Sequence, residues 1–258
     1  MQPARNARNG IAHQASARYR AGGEARALIA SRKPERIILR NDPDYDSDKS
    51  SLMEFRLTYA GKLYGSSTGS PRAKHKHEIR KIFHKQLKLL WEKTPHLNGT
   101  GINSEVMLWY DEAFEKRHPP HTIKNISREF DMFGYNFVPL VTERISLLCG
   151  LEILFLRPDI PGGILRSADI DNRLKTLFDV LRMPKSRSEL GDEYQTPAEE
   201  EKPFFCLLQD DSLIAKISVE ADMLLEQLET EPDENDARLI ITVRLRPYQF
   251  HFGNMKFS

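Results

Sequence analysis

The run LLCGLEILFLR, residues 147–157, constrains the chain more than any other stretch. Its apolar residues are nearly continuous, which predicts a central strand covered on both faces. Such a strand needs partners on either side and helices packed against it. The alternation in MEFRLTYAGKLYG (53–65), where Phe55, Leu57 and Tyr59 interleave with Arg56 and Thr58, predicts one partner. YNFVPLVT predicts another. RLIITVRLRP adds a third through Leu239, Ile241, Val243 and Leu245. A strand starting just after Asp210 and Asp211 carries Leu213, Ala215, Ile217 and Val219 on one face. Two helices complete the set. One covers about 76–93, with Ile79, Ile82, Phe83, Leu87, Leu90 and Trp91 on one face, and the other runs from Asn172 to a stop at Pro184. The order strand, helix, strand, strand, helix, strand, strand predicts an α+β fold, a compact mixed β-sheet with packed helices.

Additions surround this core. Residues 1–52 read as a basic N-terminal arm and polar linker, and 53–250 as the folded domain, with insertions near 96–132 and 183–203. The spaced aspartates of NDPDYDSDKSS suggest a calcium loop, but Ser47 stands where glycine is needed and Met53 where a chelating glutamate is needed. Cys149 and Cys206 lie in apolar surroundings without metal spacing, which predicts buried thiols in a reducing compartment. The Arg-rich start has no apolar block of secretory type, and no apolar run reaches membrane-spanning length. A cytoplasmic protein away from membranes is the expectation.

The formal net charge is only +1, but charge is segregated. Arg72, Lys74, Lys76, Arg80, Lys81, Lys85 and Lys88 crowd the first long helix and the stretch just before it, with few acidic neighbours. They are candidates for contact with a phosphate backbone; an ordinary solvated helix face is the plain alternative.

The chemistry concentrates in SADIDNRLKTLFDVL, 167–181, and in the later QDDS. Asp169 and Asp171 precede a helix, and Asp210 and Asp211 precede a strand. Carboxylates from different elements converging at one end of a sheet can hold Mg²⁺, which takes oxygen ligands and retains several waters. Lys175 follows Asp171 by one helical turn and could meet a phosphate oxygen. Spacing alone favours the plainer reading of a helix cap, an i,i+4 ion pair and a polar turn.

DIDNRLKTLFDVL followed by QDDSLI resembles the RusA-type Holliday junction resolvases, whose pattern is D-x-D-N-x-x-K-x-x-x-D-x-L and then D-D before a strand. The likeness covers roughly 53–65 and 134–246 in outline, and its specific part is the two motifs. It implies a Mg²⁺-dependent endodeoxyribonuclease cutting phosphodiester bonds in branched DNA such as four-way junctions. Asp169, Asp171 and Asp211 would then be metal ligands, Asp210 a less favoured one, and Lys175 the phosphate-side cation. It also implies a homodimer, since a four-way junction needs two matched cuts. The chain departs from the family in being about twice as long and in the wide gap between Asp179 and Asp210. Two other readings stand beside this one: a non-catalytic branched nucleic-acid binding protein of the same fold, and a regulatory module that binds a protein partner through its acidic loops.

Overall fold

The computed structural model describes residues 53–65, 70–95, 97, 121–158, 168–191, 196–225, 233–250, 254 and 257, without the side chains of 70, 71, 168 and 169. The arm expected over 1–52 and residues 98–120 of the insertion expected near 96–132 lie outside the described residues. The elements are β1 (Met53–Lys62), α1 (Ser70–Lys93), α2 (Ile123–Glu129), β2 (Asp131–Met132), β3 (Tyr135–Val141), β4 (Leu147–Arg157), α3 (Ala168–Leu181), β5 (Phe204–Leu208), β6 (Ile214–Met223) and β7 (Asp236–Pro247). This is an α+β fold with two mixed sheets.

The larger sheet has the order β1-β7-β4-β6. Strand β7 is antiparallel to both β1 and β4, and β4 is parallel to β6. The smaller sheet, β2-β3-β5, pairs β2 with β3 antiparallel and β3 with β5 parallel. Strand β4 is therefore central, as its apolar run predicts, but its burial alternates. Leu147, Cys149, Leu151, Ile153, Phe155 and Arg157 are buried, while the residues between them are only half-buried. The reason is Glu152, which pairs on the outer face with Arg244 of β7 and Lys216 of β6. Long polar side chains partly shield that face, so its leucines keep some contact with water.

The inner face carries the core. Leu57 and Tyr59 of β1 join Leu239, Ile241, Val243 and Leu245 of β7. Helix α1 adds Ile79, Phe83, Leu87 and Trp91, and α3 adds Ile170, Leu177, Val180 and Leu181. Each large apolar side chain so buried contributes about 1.5–3 kcal/mol. Both cysteines are buried free thiols, and burial pushes the Cys206 thiol up to about 12.

Several elements differ from expectation. Helix α1 begins at Ser70, two and a half turns before its first buried apolar residue, Ile79, and Pro71 fits there because the first helical N–H groups need no partner. Ile82, placed on its apolar face by periodicity, is 40% exposed. Strand β6 is an edge strand, so its expected buried face is open and Ile217 is 48% exposed. Strand β5 is short and wholly apolar, a pattern that periodicity does not resolve. Helix α2 is similarly brief; Thr122 caps it by accepting from the Asn125 N–H at 3.4 Å. Among the described residues no helix is long and apolar enough to cross a membrane.

Candidate functional site

Helix α3 is amphipathic, and this decides where its motif points. Ile170, Leu177, Val180 and Leu181 are buried, whereas Asp171 and Lys175 are exposed. Four residues separate the two charged groups, so they share one side of the helix a turn apart. Asp169 lies in the first turn of α3, and its side chain is outside the described set. Arg173, buried between them on the chain, donates to the Glu234 carbonyl at 2.8 Å and ties α3 to the turn before β7.

The exit of α3 places the second acidic motif. Arg182 bridges to Leu208 in parallel, and the Met183 N–H donates to the Leu208 carbonyl at 2.9 Å. The chain leaving α3 thus runs beside the end of β5, which brings Lys185 to the following residues. Lys185 Nζ lies 2.7 Å from Asp210 Oδ2 and 3.1 Å from Asp211 Oδ1. Asp210 also caps the 3₁₀ turn Asp211–Leu213, its Oδ1 accepting from the Ser212 N–H at 3.0 Å. Helix α3 packs against that turn. The Lys185 ammonium, helped by the Ser212 N–H, holds the Asp210 carboxyl well below the usual carboxylate range. In return the two aspartates raise Lys185.

These contacts separate the two adjacent aspartates. Both oxygens of Asp210 are engaged, one by an ammonium and one by a turn amide. Among the described residues only Oδ1 of the Asp211 carboxylate is engaged, by Lys185, and the Asp211 side chain is 43% exposed. Asp211 is thus the better placed of the two to give an oxygen to a cation. Carboxylate oxygens are the donors Mg²⁺ takes, and because that ion keeps several waters, one or two carboxylates suffice to bind it. The donor chemistry of Asp171 and Asp211 fits such an ion. Among the described residues, however, no group of three His, Cys, Asp or Glu side chains converges as a ready-made cage.

Asp179, the last acid of the α3 motif, has a different task. Lys76 reaches it at 2.7 Å and Arg182 at 2.9 Å, while Arg80 donates to its carbonyl at 2.9 Å. Burial pushes its carboxyl up, but the two cations outweigh this and leave it below the usual range. Glu189 closes the network, with Oε2 3.1 Å from Arg80 and 3.0 Å from Arg182. The expected DNA-contacting set is corrected accordingly. Arg80 is 1% exposed and faces the interior, and Lys76 is spent on Asp179. The cause is the acid–base network joining α1 to α3, which a helical wheel of α1 alone does not contain.

The other basic residues of α1 are less deeply committed. Arg72 lies over the Tyr64 ring at 4.6 Å. Lys81 pairs with Glu78 at 3.4 Å and Glu201 at 3.3 Å, and Lys88 donates to the Glu200 carbonyl at 3.4 Å. Lys74 and Lys85 are exposed. An open cleft of about 390 Å³ beside α1 is lined by Glu78, Lys81, His84, Lys85, Glu200 and Glu201, a mixture of signs. Two contributors were invisible to sequence reasoning, Lys185 and Glu189. Both sit in the polar PKSRSEL run, where no periodicity marks one charge above its neighbours.

Compared with family models and with curated proteins, the sequence matches none.

Proposed function

We propose that the chain is a Mg²⁺-dependent endonuclease that hydrolyses phosphodiester bonds in branched DNA. The observation that carries this reading is the junction of α3 with the Asp211–Leu213 turn. One exposed side of α3 presents Asp171 and Lys175 a turn apart, and the same helix packs on the turn that Asp211 opens. The resemblance of DIDNRLK and QDDS to the RusA-type pattern supplies the substrate class.

In this reading Asp169, Asp171 and Asp211 hold the cation, and Asp210 serves as a structural cap. The bound ion would polarise a water and offset charge building on the phosphoryl oxygens. Lys175, exposed one helical turn along from Asp171, would offer its ammonium to a non-bridging phosphate oxygen and stabilise charge developing there. Lys74 and Lys85, with Arg72 and Lys88 at the margins, are the surface cations left to meet the sugar–phosphate backbone, whereas Lys76 and Arg80 are structural. Homodimerisation, which would pair two such sites across a junction, is part of the same proposal.

The test is cleavage of a synthetic four-way junction in Mg²⁺, beside a linear duplex of the same sequence. The expected result is nicking of the junction that EDTA abolishes and that Asp169→Asn or Asp171→Asn removes. Junction affinity that survives EDTA without any product would replace the enzyme with a binding protein. Affinity that is absent or indifferent to salt would end the nucleic-acid reading altogether.

A further inference from the structure

Lys185 makes contacts that the proposed chemistry does not yet use. Its ammonium bridges the two carboxylates of the QDD turn, at 2.7 Å and 3.1 Å, from a side chain that is 53% exposed. Its backbone is held as well, since the Lys185 N–H donates to Glu189 Oε1 at 3.3 Å. Glu189 is in turn fixed by the buried Arg80 and by Arg182. A flexible lysine stem therefore springs from an anchored root. The pair it grips is unequal: Asp210 is locked by the Ser212 amide and makes the shorter contact, while Asp211 makes the longer one.

We infer that Lys185 is a positioning residue that stands in for the divalent cation at Asp211, and is displaced from it when a cation binds. The inference rests on the metal-binding reading of Asp211 given above. Two adjacent carboxylates repel each other unless a positive charge lies between them, and an ammonium can supply that charge without a metal. A divalent ion arriving at Asp211 brings twice the charge and coordinates oxygen directly, so it outcompetes an exposed ammonium. Asp210 then keeps hold of Lys185, because its other oxygen is already fixed by the turn. The released ammonium stays tethered beside the site, on the side of the acid pair that faces the exit of α3, within reach of an incoming phosphate. Lys175 approaches from the exposed side of α3 itself, so substrate would meet two lysines carried on separate segments.

The competition is measurable without any cleavage. Mn²⁺ binding to the full chain, followed by the electron paramagnetic resonance signal of the free ion, compares wild type with Lys185→Met and Lys185→Arg. Exposed ion pairs of this kind translate into about 1.5- to fivefold in affinity. Lys185→Met is expected to bind Mn²⁺ tighter by that factor, and Lys185→Arg to bind no tighter than wild type, since it restores the competing charge. Both variants should stay folded and melt within about 4 °C of wild type, because the side chain is exposed and such pairs contribute little. Equal Mn²⁺ affinity in wild type and Lys185→Met, with binding still lost in Asp211→Asn, would overturn the role of Lys185 and leave the metal reading standing. Absence of Mn²⁺ binding from both wild type and Lys185→Met would overturn the metal reading, and the inference with it.

Discussion

Arg80 separates structure from recognition most sharply, because it belongs to a basic helix and yet is 1% exposed. Its guanidinium donates to the Glu189 carbonyl at 2.8 Å, the Asp179 carbonyl at 2.9 Å and Glu189 Oε2 at 3.1 Å. Arg80→Ala removes the donors and leaves three acceptors in a confined space. Breaking a buried ion pair costs about 3–5 kcal/mol. Here the lower end applies: Glu189 is still held by Arg182 at 3.0 Å, and its side chain is 26% exposed. The expected loss is therefore about 3 kcal/mol, which for a domain of this size lowers Tm by roughly 6–12 °C. Urea titration and a thermal melt measure it. Lys85→Ala is the companion, an exposed change expected to stay within about 0.5 kcal/mol. Junction binding at low temperature, where both variants are folded, completes the comparison. Lys85→Ala should flatten the dependence of log affinity on log salt by about 0.9, and Arg80→Ala should leave it unchanged. An Arg80→Ala protein that loses less than about 1 kcal/mol, or whose salt dependence flattens, would refute the assignment of Arg80 to the interior network.

Acid should unfold the protein partly through His77. Burial, with Arg80 and Lys81 nearby, lowers this imidazole to about 3 from an unfolded value of 6.5, so the folded state keeps it neutral. Its contribution is complete above pH 6.5 and is lost as pH falls from there towards 3, to a limit of about 5 kcal/mol. His77→Gln should flatten the urea midpoint over that window, and an unchanged slope would contradict the burial argument. Asp210→Ala should cost about 1 kcal/mol through its lost turn cap, whereas Asp210→Asn should restore the cap and most of the stability; melts of the two variants decide this. Gly191→Ala should also destabilise, because Gly191 has φ +97° and an added Cβ would lie 3.1 Å from the Lys74 Cα. A melt within error of wild type would show that this turn adapts.

How much of this was legible in the sequence follows from where each signal lives. Strands β1, β4 and β7 announce themselves because alternation and apolar runs are local properties. The burial of Leu239, Ile241, Val243 and Leu245 follows directly from their spacing. The edge position of β6 does not, since a strand carries the same pattern whether or not a neighbour covers it. Ile217 therefore reads as core and is half in water. The motif acids Asp171, Asp210 and Asp211 were found because they flank a helix and a strand start. Asp179 belongs to the same motif, but its pairing with Lys76 joins residues 103 positions apart. No window along the chain contains both, and for the same reason Arg80 reads as a surface base. The cluster of His77, His84, Tyr135 and Phe204 was hidden in the same way. There the Phe205 N–H donates to His84 Nδ1 at 2.8 Å, which fixes the proton on Nε2, facing the Glu200 carbonyl.

The central claim is that Asp171 on α3 and Asp211 beyond β5 serve one reaction. Single-turnover cleavage of a four-way junction by wild type, Asp171→Asn, Asp211→Asn and the double variant tests it most directly. Groups that act as a unit are strongly non-additive, so each single change should abolish most of the rate and the double should fall little further. Independent losses that multiply in the double variant, or an Asp211→Asn protein that cuts as fast as wild type, would contradict it.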